Sequence, residues 1–240
     1  MEQQNWADFP ILLNTTSSPT LHSGELLMND EAILKTGTTT VGIVCEDGIV
    51  LAADKRATAG SLIASKKADK VHILNENIAL TMAGTVSDAQ LLMKYCTSEI
   101  KLKELKGNRE VLVKEAANLM ARMVYSNIRK MSMIPGVAHF IMGGKDSSGY
   151  YLFDVFADGS IQLIDDYVSS GSGSVFALGV LDSAYEKKLS VDAGIKLAAK
   201  AVNAALQRDI YSGDGLDIVT ITAGGVRKVV AKELRVKADA

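Results

Sequence analysis

A glycine stands directly before a threonine at the mouth of an apolar, β-branched run, and this constrains the chain more than any other feature. The run is Lys35 to Cys45, reading KTGTTTVGIVC. Its threonines, valines and isoleucine favour a strand. Thr38 therefore lies at a strand end, where backbone can be cut without breaking an element. A cut between Gly37 and Thr38 would leave Thr38 as a new N-terminus, with a hydroxyl nucleophile and a free α-amine on one residue. Such an amine can act as the base for a catalytic threonine. Its reference pKa of about 7.7–8.0 leaves a useful fraction unprotonated near neutral pH. Without the cut, Thr38, Thr39 and Thr40 are simply a threonine-rich strand.

The residues that follow sharpen this choice. Asp47-Gly48 is a tight-turn signal between strands at Thr39–Glu46 and Ile49–Asp54. The second strand runs from apolar Leu51, Ala52 and Ala53 into Asp54, Lys55 and Arg56. Charges at that end lie close to Thr38, because a hairpin returns the chain to its start. Lys70 follows a polar stretch and opens Val71–Leu74; residues 75–77 then turn the chain into Ile78–Gly84. Ser87–Gln90 has the pattern of a capping box, and Ala89, Leu92, Met93, Cys96 and Ile100 repeat at helical spacing. Gly107-Asn108 punctuates. A second helix is predicted through Val113, Ala117, Met120, Val124 and Ile128, with Pro135-Gly136 as its stop. Its methionine stripe reads as core.

Strands are predicted at Phe140–Gly143, Tyr150–Phe156 and, after an Asp158-Gly159 turn, Ile161–Tyr167. Two helices over 174–188 and 190–209 come next, the second capped by Ser190. A hairpin of Leu216–Ala223 and Val226–Ala231 closes the chain around Gly224-Gly225. Strands, helices, strands, helices and strands suggest two sheets packed face to face with helices outside, an α+β layering.

Composition excludes several classes. Hydrophobic residues make up 48% and charged residues 22%, as in globular proteins. A net charge of −2 gives no footing for nucleic acid or an anionic membrane. No apolar run approaches the roughly 18 residues that a bilayer requires. Met1–Trp6 lacks the basic region of a secretory signal, so a cytoplasmic location is expected and the Asn14-Thr15-Thr16 sequon is read as incidental. Cys45 and Cys96 lack metal-ligand spacing and are expected to be buried thiols. No cofactor and no metal is called for. Residues 1–37 show little periodicity and read as a leader, with 38–240 as one domain. Met28–Gly37 looks like a complete short leader by itself. Residues 1–27 are then either part of a longer leader or the product of a start site placed too far upstream.

At this point the chain resembles the proteasome β subunits, most closely the archaeal type, over residues 34–223. The blocks that carry the likeness are Thr38–Gly42, Ala52–Thr58, Lys70, Met82–Gly84, Ser170–Ser174 and Arg208–Gly213, in family order with matching gaps. The resemblance implies the N-terminal nucleophile hydrolase fold, a four-layer αββα sandwich of two antiparallel sheets flanked by helices. It also implies a threonine endopeptidase whose partners are proteasome α subunits and other β subunits in stacked seven-membered rings. A regulatory ATPase would act through the α ring to deliver unfolded polypeptide.

Carried over residue by residue, the resemblance makes Thr38 the nucleophile, freed by self-cleavage of Gly37–Thr38. Glycine at 37 suits a bond held in a strained turn. Lys70 would favour the alkoxide, Asp54 would orient Lys70, and the Gly84 N–H would serve an oxyanion hole. Ser172, Asp209 and Ser212 would surround the threonine amine, and Arg56 would be structural. Read on their own, Asp54 and Lys70 are a salt bridge and Arg56 is a surface ion-pair partner. Gly84 is then a glycine before a helix, and the last three belong to a Gly-Ser loop and a helix C-terminus. Ala57, Ala68, Met82 and Val86 match the pocket for the residue before the scissile bond. None is charged, which favours cleavage after large hydrophobic residues. Two other readings compete: a non-catalytic ring subunit, and a small-molecule amidase of the same fold. Retention of Thr38, Asp54, Lys70, Ser172, Asp209 and Ser212 argues against the first. The second usually has Cys or Ser at the new N-terminus and a long insertion, neither of which is present. A bacterial two-ring ATP-dependent protease also begins Thr-Thr, but its chain is shorter.

Overall fold

The computed structural model describes residues 37–133 and 135–233. In chain order the strands and helices are β1 (Thr40–Cys45), β2 (Gly48–Asp54), β3 (Ala57–Ala59), β4 (Leu62–Ser65), β5 (Val71–Ile73), β6 (Ile78–Gly84), α1 (Val86–Gly107) and α2 (Val113–Ile128). They continue as β7 (Ala138–Asp146), β8 (Gly149–Val155), β9 (Ile161–Ile164), β10 (Tyr167–Ser170), α3 (Ser174–Ala184), α4 (Val191–Leu206), β11 (Gly215–Thr222) and β12 (Gly225–Glu233). One antiparallel sheet has the order β10-β1-β2-β11-β12, the other β5-β6-β7-β8-β9, and β3 and β4 form a small separate hairpin.

Strand β2 shows why the layers stack as they do. All seven of its residues are buried. Ile49, Leu51 and Ala53 pack with Val71, Ala79, Ile141 and Leu152 of the opposite sheet. Val50 and Ala52 point the other way, into a core with Ala198, Ala201 and Val202 of α4. A strand covered on both faces reads as an unbroken apolar run. The outer face of the second sheet packs on α1 and α2 through Leu80, Cys96, Ala117 and Met120. The result is helix, sheet, sheet, helix, as the sequence suggests. Alanines on the inner faces of α2 and α4 let these helices lie close to their sheets.

Several boundaries differ from the sequence reading. The stretch read as one strand over Ile161–Tyr167 is two, in different sheets: β9 pairs with β8, and β10 pairs with β1. The chain crosses between sheets at Asp165 and Asp166, which are exposed and suit neither core. Helix α1 starts at Val86, before the Ser87–Gln90 box, with Thr85 as its N-cap. The Thr85 N–H donates to the Val137 carbonyl, which fixes the entry one turn earlier. Helix α2 stops at Ile128, well short of Pro135, because the Asn127 side chain leaves the helix to bond Asp88 and the Gly136 carbonyl. The β3–β4 hairpin occupies the stretch read as merely polar. Helix α3 ends four residues early. The Ser190 cap of α4 stands, its hydroxyl accepting from the Ala193 N–H at 3.4 Å. Residues 1–36, which hold the sequon and all but the last residue of the expected leader 1–37, lie outside the described residues.

Candidate active site

Pairing brings the charged strand end of β2 to Thr38. Thr40 faces Ala53 on β2 and Ser170 on β10, so Thr38 and Thr39 lie between Asp54 and the residues after Ser170. Asp54 is wholly buried. Its Oδ1 accepts from the Thr39 N–H at 3.0 Å and from Lys70 Nζ at 2.7 Å. Its Oδ2 accepts from the Arg56 and Gly213 N–H groups, each at 3.0 Å. A buried carboxylate is tolerable when its oxygens are occupied in this way. Lys70 is 4% exposed. Burial pulls its pKa below the ordinary lysine value, while Asp54 and, more weakly, Asp209 pull it back up.

A second carboxylate works on the other side. Ser172 Oγ accepts from the Thr38 N–H at 3.2 Å and donates to Asp209 Oδ2 at 2.7 Å. Ser212 Oγ donates to the same Oδ2 at 2.6 Å and lies 2.7 Å from Thr39 Oγ1. Since the Ser212 proton goes to Asp209, the Thr39 hydroxyl is the donor to Ser212. Gly171, at φ +94°, lies against the Thr38 carbonyl so closely that a Cβ there would overlap it. The Gly171–Gly173 loop is thus wrapped over Thr38. Arg56 reaches back to the loop after α4, with Nε on Asp214 Oδ2 at 2.7 Å and Nη1 on the Ile210 carbonyl at 2.9 Å. That brace holds the segment that supplies Ser212 and the Gly213 N–H.

Thr38, Lys70 and Gly84 open on one cavity of about 80 Å³, and Ala57, Ala68, Met82 and Val86 all line it. Gly84 closes β6 at φ +105°, with the Val137 carbonyl where a Cβ would be. All the residues singled out from sequence therefore meet in one region. Sequence reasoning missed several others there. Thr58 lines the cavity, and its hydroxyl accepts from the Gly37 N–H at 3.2 Å. Ala89 and Gln90 line it too, one helical turn beyond Val86, a spacing that could have found them. Gly213 contributes through its backbone N–H, which leaves no trace in residue type.

The family of proteasome subunits matches residues 34–221. The chain belongs to the proteasome subunit family. It is similar to the proteasome subunit beta of Methanothermobacter thermautotrophicus, 39% identical over 209 residues that cover 87% of this chain and 97% of that one. It is also similar to proteasome subunit beta 2 of Pyrococcus abyssi, 42% identical over 199 residues, 83% of this chain and 93% of the relative. A third is the proteasome subunit beta of Methanocorpusculum labreanum, 42% identical over 189 residues, 79% and 87% of the two chains. Its archaeal β-type relatives put this proteasome subunit in the threonine endopeptidase class, and the two antiparallel sheets between helices are the family's N-terminal nucleophile hydrolase fold. Among the described residues no group of His, Cys, Asp and Glu could hold a metal. Burial pushes both thiols, Cys45 and Cys96, up to about 12, so they act as packing. No described helix is long and apolar enough to cross a membrane.

Proposed function

We propose that the chain is the proteolytic β subunit of a proteasome core particle, with Thr38 as nucleophile after cleavage of Gly37–Thr38. The observation that carries this reading is the shared cavity. Thr38, the buried Lys70 and a glycine at a strand end line one cavity together with the apolar Ala57, Ala68, Met82 and Val86. In the uncut chain the Thr38 nitrogen is an amide held by Ser172; after the cut it is an amine beside the same hydroxyl. Residues 1–37 are then a leader and 38–240 the mature domain. Gly37 fits for reasons of space, since a Cβ there would overlap Tyr211.

In this mechanism Thr38 Oγ attacks the substrate carbonyl and the Thr38 amine, through a water, takes the hydroxyl proton. The oxyanion is met by the Gly84 N–H. Collapse breaks the C–N bond, the leaving amine takes the proton back, and an ester to Thr38 remains. Water, deprotonated by the Thr38 amine, hydrolyses that ester, and the proton returns to Thr38 Oγ. Lys70 stabilises the forming alkoxide, and Asp54 keeps Lys70 charged and aimed. The apolar walls favour cleavage after large hydrophobic residues. The mature subunit works in stacked rings with α subunits and other β subunits, with an ATPase feeding unfolded chains.

The test is peptide cleavage by the complex assembled with its α partner, using fluorogenic peptides that end in leucine or tyrosine, glutamate, or arginine. Hydrophobic ends should be cut fastest, and Thr38→Ala should be inactive with its leader retained. Leader removal by an isolated Thr38→Ala chain would sink self-cleavage, and activity in that variant would sink the nucleophile assignment.

A further inference from the structure

A second polar constellation joins the two sheets beside this site. His139 Nε2 lies 2.5 Å from Asp154 Oδ1, and His139 Nδ1 lies 2.8 Å from Ser170 Oγ. Asp154 is 4% exposed and Ser170 5%. His139 is on β7 and Asp154 on β8, both in one sheet, whereas Ser170 ends β10 in the other. A carboxylate only accepts, so Nε2 carries a proton; in the neutral ring Nδ1 then presents a lone pair to which the Ser170 hydroxyl donates. The imidazole also packs on Phe156, with ring centroids 5.2 Å apart. The order of bonds looks like a hydrolytic triad, but a serine so buried within a strand cannot reach a substrate carbonyl.

The position of the trio gives it a different use. His139 is the direct cross-strand partner of Ala83, and its neighbour Ala138 is the partner of Gly84. The central member of the trio is therefore built into the strand pair that presents Gly84. One end, Ser170, faces Thr40 and leads directly into Gly171 and Ser172, which touch Thr38. Nucleophile and oxyanion donor come from opposite sheets. The His139–Ser170 bond joins the strand pair that presents Gly84 to the strand that leads to Thr38, and Asp154 holds His139 from its other nitrogen. Its members satisfy one another in a low-dielectric layer, where such networks are rigid.

We infer that His139, held by Asp154, is a positioning residue: through Ser170 it fixes the Gly171–Gly173 loop, and so the distance between Thr38 and Gly84. This rests on Thr38 being the nucleophile. It assigns the trio to the chemical step and not to substrate capture, because the residues lining the apolar cavity do not include these three.

The experiment measures kcat, KM, leader removal by intact mass, and melting temperature in complexes assembled with the α partner. Ser170→Ala deletes one hydroxyl and leaves the His139–Asp154 pair. A misplacement of about 1 Å can cost ~10²-fold; a loosened loop should cost kcat about tenfold, with KM within about twofold. Ser170→Thr, which restores the hydroxyl, should recover kcat to within about threefold. His139→Gln can reach only one of the two partners and should lose about as much as Ser170→Ala. Wild-type kcat in processed Ser170→Ala complexes overturns the inference. So do losses that follow melting temperature across the variants, with KM rising in step, since the trio would then only hold the fold. If Ser170→Ala does not assemble, His139→Gln decides alone, and wild-type kcat there is fatal. Failure of the underlying reading would look different: hydrophobic peptides left intact by the wild type, or cut by Thr38→Ala.

Discussion

Two aspartates flank the Thr38–Thr39 pair, and they are built in opposite ways. Asp54 takes three backbone N–H groups and one ammonium, donors whose directions are set by the fold. Asp209 takes two serine hydroxyls on Oδ2, whose protons can rotate, and the Tyr211 N–H at 3.2 Å on Oδ1. Asp54 belongs to a doubly covered strand; Asp209 sits in the loop after α4, 8% exposed. The difference separates two tasks. One carboxylate fixes a charge, and the other orders a chain of hydroxyls that can exchange donor and acceptor roles as a proton moves.

The largest effects should come from the fixed side. Lys70→Ala should lower kcat by on the order of 10³, the scale of losing a donor at a developing oxyanion. Lys70→Arg should not restore it, because a planar five-donor fork cannot fill a site made for a compact ammonium on one oxygen. Near-normal turnover by Lys70→Arg would reduce the fixed side to bulk positive charge. The same group sets a pH limit. In the proposed mechanism Lys70 must stay protonated, and burial lowers its pKa from 10.5. The alkaline fall of kcat should therefore begin below the range of an exposed lysine, while the Thr38 amine sets the acid limb near its reference value of about 7.7–8.0. Folding disfavours the charged form of Lys70. Its cost is therefore full below the lowered pKa and is relieved as pH rises towards 10.5, a window in which stability from this group increases. A kcat profile whose alkaline limb lies no lower than that of an exposed lysine would contradict the lowering by burial.

Asp54→Asn comes next. The amide keeps the shape but must turn its NH₂ towards Lys70 and Thr39 or towards Arg56 and Gly213, donor against donor. Leaving a buried cation unpaired costs about 3–5 kcal/mol, so both melting temperature and kcat should fall. Asp209→Asn should be milder. It trades charge-assisted bonds for neutral ones, about 1–1.5 kcal/mol, or close to tenfold in kcat with stability nearly kept. Equal losses for the two Asn variants would erase the distinction between the two aspartates. The smallest change is Ser212→Ala, which removes one link beyond the amine. A loss of about threefold to fivefold is expected in single-turnover cleavage.

Much of this arrangement was legible in the sequence, for local reasons. Asp47-Gly48 fixes the β1–β2 hairpin, and the hairpin alone brings Asp54 near Thr38. Ser190 marks its helix because a cap is a one-turn event. What escaped is decided by contacts distant in the chain. Nothing local divides Ile161–Ser170 between two sheets; the partners β8 and β1 do that. Asn127 ends α2 through bonds to Asp88 and Gly136, 39 and 9 residues away. The Gly213 N–H and the Thr58 hydroxyl serve the site from positions whose residue types suit a hundred other uses. The β3–β4 hairpin is short and half exposed, so it carries little apolar pattern to read.

The double covering of β2 also sets a clock. Amides in a strand buried on both faces open only when the whole domain does, whereas loop amides open locally and often. Asp54 therefore ends a strand whose backbone protons should outlast nearly all others in deuterated water, while the Gly171 and Ser172 amides, outside any strand or helix, exchange sooner. Thr38 is held between a slow wall and a fast one. Any substrate or inhibitor that orders the site should register as slowed exchange on the Ser172 side, with the β2 side already at its limit.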